Sequence, residues 1–143
     1  MMSSCCGENV IIRSGDELLC DRLLNYGEEE YAELSLKQRV IMWVYVFYDE
    51  KSQCPACKAA YADMFTWFNK YNLFNNPMGC ARAVIEPTPE QNLIYTDLGM
   101  NKLPAILFCD EKGRIVHIKF DFPDDKWLTT HILPFFQEDG KLL

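Results

Sequence analysis

The chain alternates continuous apolar runs with amphipathic segments. Its longest apolar run covers residues 40–48, and nine such residues in a row predict an apolar strand. After a polar loop, apolar residues recur at three- and four-residue spacing from about Pro55 to Phe74, which predicts an amphipathic helix. We expect the face of this helix that packs on the sheet to be one apolar stripe: Tyr61, Met64, Phe65, Phe68 and Tyr71.

Shorter patterns predict the remaining elements. Residues 9–13 and 80–85 are expected to be strands, and residues 104–109 and 114–120 a hairpin. Helices are expected to begin at residues 14–16 and to cover residues 90–98, and a last one, capped by Asp124 and Asp125, is kinked or ended by Pro134. Residues 28–38 are interpreted as a polar connector whose three glutamates, 28–30, form a solvated face or loop.

Strands that alternate with helices and end in a hairpin and a helix predict a three-layer α/β fold with a central mixed sheet. We expect one domain over residues 1–143, of which residues 1–8 form a flexible N-terminus. The net charge of −7 argues against nucleic acid and anionic membranes as partners. The longest apolar run is nine residues, half of the roughly 18 that a membrane-spanning helix needs. The N-terminal residues do not resemble a signal peptide, so we expect a cytoplasmic protein.

Seven scattered cysteines, an odd number, do not indicate a disulfide framework. Most are expected to be reduced, buried thiols, and that is the interpretation for Cys20, Cys80 and Cys109. Cys5 and Cys6 are interpreted as incidental, with acylation and metal binding as alternatives.

Two cysteines differ from the others because they lie where the apolar strand gives way to the amphipathic helix. In Cys54-Pro55-Ala56-Cys57 a thiol stands at a helix N-terminus, where unpaired N–H groups and the helix dipole favour the thiolate. Pro55 suits the first helical turn, where its missing N–H costs no hydrogen bond. The second sulfur lies one turn away, close enough for a disulfide. The motif therefore indicates thiol–disulfide exchange.

These residues resemble the thioredoxin-fold family over most of the chain, from Val10 to about Phe136. Three signals carry the resemblance: the strand–loop–CPAC–helix unit, the segment 98–104 that ends in Pro104, and the hairpin with Lys112-Gly113. A CxxC motif alone is a moderate signal, and its combination with the proline and the hairpin is a strong one.

The resemblance implies that Cys54 is the attacking thiolate and Cys57 the resolving thiol of a disulfide oxidoreductase without a cofactor or metal. It also implies a cis Leu103–Pro104 bond beside the CPAC loop, where an extended substrate segment binds. Pro55 and Ala56 belong to the same substrate-binding surface. The implied partners are proteins that carry disulfides or dithiols, together with an unidentified reductase or electron donor.

The chain also departs from the thioredoxin pattern. Gln53 stands where thioredoxins have Trp before the first cysteine, and Tyr45 and Val46 stand near the position of a buried acid. Asp49 and Glu50, in a loop two residues longer, are candidate substitutes for that acid. The charge of Lys58 is a candidate for lowering the pKa of either thiol. The Pro-Ala pair between the cysteines leaves the direction of electron transfer open.

Three alternatives remain. A CxxC pair is half of a zinc site, but the other cysteines, His117 and His131 show no second metal-binding pair; we interpret both histidines as surface or partly buried side chains. A non-catalytic adaptor would bind a partner through the cis-proline edge while CPAC stays idle. A redox sensor would change its partner affinity when the 54–57 disulfide forms.

Overall fold

The computed structural model describes residues 11–13, 28–47, 55–86, 104–138 and 141–142. The predicted helices over residues 14–26 and 90–98 lie outside these ranges. The described helices are α1 (Glu28–Gln38), α2 (Pro55–Lys70) and α3 (Asp125–His131), with a 3₁₀ turn at Leu133–Phe136. The described strands are β1 (Ile11–Arg13), β2 (Val40–Phe47), β3 (Cys80–Glu86), β4 (Ala105–Asp110), β5 (Ile115–Lys119), β6 (Gln137–Glu138) and β7 (Lys141–Leu142).

Five strands form the central sheet in the order β1-β3-β2-β4-β5. Strands β1, β3 and β2 run parallel, whereas β4 is antiparallel to β2 and β5 is antiparallel to β4. The predicted mixed sheet is therefore confirmed. The short pair of β6 and β7 at the C-terminal end was not predicted.

Alternating residues of β2 show how the helices cover the two faces of the sheet. Met42 and Val44 belong to a core cluster with Phe68 of α2 and Leu128 of α3. Trp43 points to the other face, where its indole N–H donates a hydrogen bond of 2.9 Å to the Ser35 hydroxyl of α1. Helices α2 and α3 thus lie on one face and α1 on the other, which confirms the three-layer arrangement.

Helix α1 corrects the prediction of a polar connector over residues 28–38. The segment has no apolar stripe, and among its described side chains the buried one is Ser35, which also donates a 2.7 Å hydrogen bond to the Glu111 carbonyl. A buried serine gives no hydrophobic periodicity, so the pattern did not reveal the helix. Glu29 and Glu30 are exposed, as predicted for a solvated face.

Helix α2 ends four residues before the predicted boundary. Asn72 has a left-handed backbone conformation, with φ of 56°, and the Leu73 N–H donates to the Phe68 carbonyl at 2.9 Å. This bond pattern closes a helix by satisfying its last carbonyl groups. Leu73 and Phe74 continue the apolar pattern because both are buried, although neither is helical.

The predicted cap of the last helix is confirmed. The Asp124 carboxylate accepts a 2.8 Å hydrogen bond from the Trp127 N–H, and the 3₁₀ turn that contains Pro134 replaces the regular helix after His131. We expect Asp124→Ala to lower the free energy of unfolding by about 1 kcal/mol, because the substitution leaves a helix N–H without its acceptor. Urea unfolding measures this loss. Asp121→Ala, an exposed site outside the helix, is the control, and an equal loss there would contradict the capping role.

Candidate functional site

The site predicted from the sequence begins at the carboxyl end of β2. Phe47, the last residue of β2, pairs with Ala105, the first residue of β4. Pro104, which is buried, immediately precedes Ala105 and therefore lies beside this end of the strand. Leu103 lies outside the described residues, so the cis geometry of the Leu103–Pro104 bond stays a prediction.

Helix α2 begins at Pro55, as the sequence predicted, and Pro55 is exposed. The far end of the helix lies next to the beginning of β3, because the Ala81 N–H donates to the Leu73 carbonyl at 2.8 Å. The 16 residues of α2 extend about 24 Å, nearly the length of the neighbouring β2. The first turn of α2 therefore lies at the same end of the sheet as Pro104.

Cys54 lies outside the described residues, as do Asp49 and Glu50 in the loop before it. Cys57 lies in the first turn of α2, but its side chain and that of Ala56 are not described. Their roles stay predictions.

The described residues around the motif carry little charge. Tyr45 and Val46, which stand near the acid position of thioredoxins, are both buried in the sheet. Neither side chain is a carboxylic acid, so β2 supplies no carboxylate there. Lys58, on the first turns of α2, is exposed.

Two of the other cysteines are described, and they differ. Cys109 is a free, buried thiol, as predicted; burial and the neighbouring Asp110 raise its pKa, so it stays protonated. Cys80 is equally buried but is disulfide-bonded, so the prediction of a reduced thiol is wrong for Cys80. Cys5, Cys6 and Cys20 lie outside the described residues.

The two histidines lie away from α2's first turn, on β5 and α3, and they contact the same tryptophan. The ring centroids of His117 and His131 are 4.9 Å and 4.8 Å from that of Trp127 and 5.5 Å from each other. The Lys119 ammonium lies 4.5 Å from the Trp127 ring centroid. His117 is partly buried and His131 exposed, as predicted, but the sequence did not indicate that they would meet.

We expect this cluster to make the stability of the protein depend on pH. Partial burial first, and then the charges of His131 and Lys119, lower the pKa of His117 from its ordinary value of 6.5. Below about pH 6.5 the folded protein then binds fewer protons than the unfolded chain. The free energy of unfolding should therefore have its full value above that pH and fall as the pH is lowered below it.

Urea unfolding at about pH 5 and pH 8 measures this difference in stability. We expect His117→Gln to reduce the difference, whereas Lys126→Gln, at an exposed position on the same helix as His131, should leave it unchanged. An undiminished pH dependence in His117→Gln would show that other groups produce it.

Within the described ranges, no group of three or more His, Cys, Asp or Glu side chains is arranged to hold a metal ion. The same part of the chain has no helix long and apolar enough to cross a bilayer.

Comparison with known proteins gives matches at the level of structure. No protein-family model and no curated protein sequence matches the chain. A thioredoxin of Nicotiana alata matches with a TM-score of 0.55 at 17% identity, over 87% of this chain and 91% of that one. Spinach chloroplast thioredoxin f (short form) matches with a TM-score of 0.55 at 13% identity, over 95% and 100%. A single-residue mutant of Halobacterium salinarum thioredoxin matches with a TM-score of 0.54 at 13% identity, over 96% and 98%. The order of the strands, their parallel and antiparallel pairings and these structural matches together show that this chain has the thioredoxin fold.

Proposed function

We propose that this protein is a thiol–disulfide oxidoreductase that exchanges disulfides with protein substrates through Cys54 and Cys57. The observation that supports this most is the start of α2 at Pro55, one residue after Cys54, at the sheet end where Pro104 lies. A thiol in that position meets the free N–H groups and the positive dipole end of a 16-residue helix. Both lower the pKa of a thiol and so increase its thiolate fraction.

The reaction follows from this placement. The Cys54 thiolate attacks one sulfur of a substrate disulfide, a mixed disulfide forms, and the other substrate sulfur leaves as a thiolate that takes up a proton. The Cys57 thiol, one helical turn along, loses its proton and attacks Cys54. The second substrate sulfur is then released, and the 54–57 disulfide holds the oxidised state. Two electrons pass to the substrate, and the reverse sequence oxidises a substrate dithiol.

The proposed substrate site is formed by Leu103, Pro104, Pro55 and Ala56. Proline has no N–H, so the backbone at Pro104 forms no ladder bond there. In a cis Leu103–Pro104 unit the neighbouring backbone is open to an extended substrate segment, which would bind as an added strand. The exposed face of Pro55 would contact the same segment.

Three charged residues are proposed to adjust the thiols. The Lys58 ammonium would favour a nearby thiolate, and Asp49 or Glu50 would accept the proton that Cys57 loses, because β2 carries no acid at positions 45–46. All three roles are testable by neutralising substitutions.

The chain acts as one domain, needs no cofactor or metal, and serves cell redox homeostasis with an electron donor that is a separate reductase. Its negative charge disfavours nucleic acid and anionic membranes as partners. The cytoplasm is the proposed location; the Cys80 disulfide is the observation against it, because cytoplasmic thiols are kept reduced.

A redox titration tests the proposal. The purified protein is equilibrated in glutathione or dithiothreitol buffers, and the state of the CPAC pair is scored by alkylation and mass. We expect a reversible two-electron couple, near about −270 mV for a reductant or about −120 mV for an oxidant. Cys109→Ser is the matched control, because that buried free thiol should not affect the couple. If Cys54 and Cys57 never pair, or never reopen, the proposal is wrong.

One observation favours a second function. The absence of an acid at Tyr45 and Val46, both buried, removes a group that assists the resolving cysteine in thioredoxins. A non-catalytic adaptor, or a redox sensor whose 54–57 disulfide alters partner affinity, does not need that group. One stable noncovalent partner, retained when both CPAC cysteines are replaced by serine, would identify the adaptor. A partner bound in only one redox state would identify the sensor.

A further inference from the structure

The disulfide at Cys80 requires a partner, and the fold restricts which cysteine that is. Cys80 is the first residue of β3, fully buried, with its sulfur 3.4 Å from the Arg39 carbonyl oxygen. Its β2 neighbour in the sheet is Val40, the first residue of that strand. Cys80 therefore lies at the opposite end of the sheet from Phe47 and Pro104. Cys109 is free and is excluded as the partner.

The CPAC cysteines are excluded by distance. The end of α2 lies near Cys80, because Leu73 accepts a hydrogen bond from Ala81, and Cys57 lies 13 residues before the last residue of α2. Thirteen helical residues extend about 20 Å, whereas the Cα atoms of a disulfide lie within about 7 Å. Cys54 is one residue beyond the start of the helix and is equally remote. The Cys80 disulfide is thus separate from the proposed catalytic pair.

Cys20 is disfavoured by the path of the chain. Strand β1 runs parallel to β3 and leaves the sheet at Arg13, opposite Ile85, about 16 Å along the strands from Cys80. The sequence predicts a helix over the next residues, and the seven residues to Cys20 would then advance only about 10 Å. Cys20 would then still be about 6 Å short of Cys80 along the strand direction. The distance between a helix and the sheet would add to that separation.

The register of β1 favours the N-terminal cysteines as the partner. If the pairing of Ile11 with Ala83 continued towards the N-terminus, Glu8 would stand opposite Cys80, at the inter-strand spacing of about 4.8 Å. Cys6 precedes Glu8 by two residues, a span of at most about 7 Å, and Cys5 by three. From that position, a slight bend of the chain would be sufficient to bring either sulfur to Cys80.

We propose that Cys80 forms a second disulfide with one of the two adjacent cysteines Cys5 and Cys6. This bond would fasten the N-terminal segment to the sheet end opposite CPAC, in place of the flexible terminus expected from the sequence. Its formation removes two electrons and two protons from two thiols and reduces a disulfide oxidant, such as oxidised glutathione, to two thiols. Because Cys80 is buried, the bond is shielded from the thiolate attack by which CPAC exchanges.

Trypsin separates every candidate, which makes the pairing directly testable. Its cleavage sites place Cys5 and Cys6 in residues 1–13, Cys20 in 14–22, both CPAC cysteines in 52–58, Cys80 in 71–82 and Cys109 in 103–112. The full chain is alkylated in denaturant without reduction, so that buried free thiols also react, and is then digested without reduction and analysed by mass. We expect peptide 1–13 linked to peptide 71–82. A link from 71–82 to 14–22, to 52–58 or to a second copy of itself, or an alkylated Cys80, would overturn the inference.

Stability provides an independent measurement. We expect Cys80→Ser and the double variant Cys5→Ser/Cys6→Ser to lower the urea midpoint by similar amounts, because both remove the same cross-link. In a Cys54→Ser/Cys57→Ser background, where the CPAC disulfide cannot form, adding dithiothreitol should lower the midpoint when Cys5, Cys6 and Cys80 are present but not when either set is replaced by serine. Cys20→Ser in the same background is the matched control with an unchanged midpoint, and a loss in Cys20→Ser that dithiothreitol does not deepen would contradict the pairing. The redox state of peptide 52–58 is read separately, so this inference and the proposed function can fail independently.

Discussion

Replacing Cys54 with serine is expected to abolish disulfide reduction by this protein, while replacing Cys57 with serine is expected to trap its substrates. A serine hydroxyl is not ionised at neutral pH, so Cys54→Ser should slow dithiothreitol-driven reduction of insulin by more than about 100-fold. In Cys57→Ser the mixed disulfide at Cys54 forms but has no internal thiol to resolve it. Nonreducing gels followed by mass analysis would detect covalent adducts at Cys54 that disappear on reduction.

The matched control for this pair is Cys109→Ser, since Cys109 is a free thiol held in the core and protonated by its burial. It should retain activity if the variant is folded, as checked by circular dichroism. Two results would contradict the proposed function: undiminished insulin reduction by Cys54→Ser, or adducts in Cys57→Ser that form at another cysteine. Many trapped proteins would indicate an enzyme of broad specificity, and a single noncovalent partner an adaptor.

The largest loss of stability is expected from Phe68→Ala. Phe68 is fully buried where α2 packs on the sheet, stacked on Phe74 with ring centroids 5.1 Å apart and in edge contact with Trp67 at the same distance. Removing the ring loses its burial and leaves a cavity, because close-packed neighbours relax only in part. We expect the free energy of unfolding to fall by about 3–5 kcal/mol, measured by urea unfolding.

Phe120→Ala is the control for Phe68→Ala, because that ring is 42% exposed and leaves no enclosed cavity when it is removed. Its cost should be about 1 kcal/mol or less. Equal losses at the two positions would mean that the packing between α2 and the sheet is not the main source of stability. The comparison therefore tests the core rather than the general effect of losing an aromatic ring.

Predictions from periodicity succeeded where one side of an element is apolar. The continuous apolar run gave β2, the stripe with Met64 and Phe68 gave α2, and the turn before Arg114 gave the hairpin of β4 and β5. The turn is held by Asp110, whose carboxylate accepts hydrogen bonds from the Lys112 and Arg114 N–H groups, while Gly113 adopts a positive φ of 81°. These interactions are local, so the sequence contains the information for them.

Predictions failed where the decisive contact joins residues far apart in the chain. Helix α1 is held by Ser35, whose partners Trp43 and Glu111 are respectively 8 and 76 residues away. The cluster of His117, Trp127 and His131 forms only when α3 packs on β5. A polar residue on a helix, or a histidine on a strand, belongs to no sequence pattern that predicts which distant residue it will contact.

The candidate site divides in the same way. The sequence by itself determined that a CxxC pair stands between a buried strand and a helix beginning at Pro55, because strand, loop and helix are consecutive and their periodicities are local. The family resemblance implied that Pro104, nearly fifty residues later, lies near this pair, and the register of β2 with β4 places it beside the end of β2. Only the tertiary structure decided that Cys80 lies at the other end of the sheet in a disulfide. Strand order and register depend on packing over the whole sheet. A short stretch of sequence therefore does not determine which residues lie at the same end of the sheet and which lie at opposite ends.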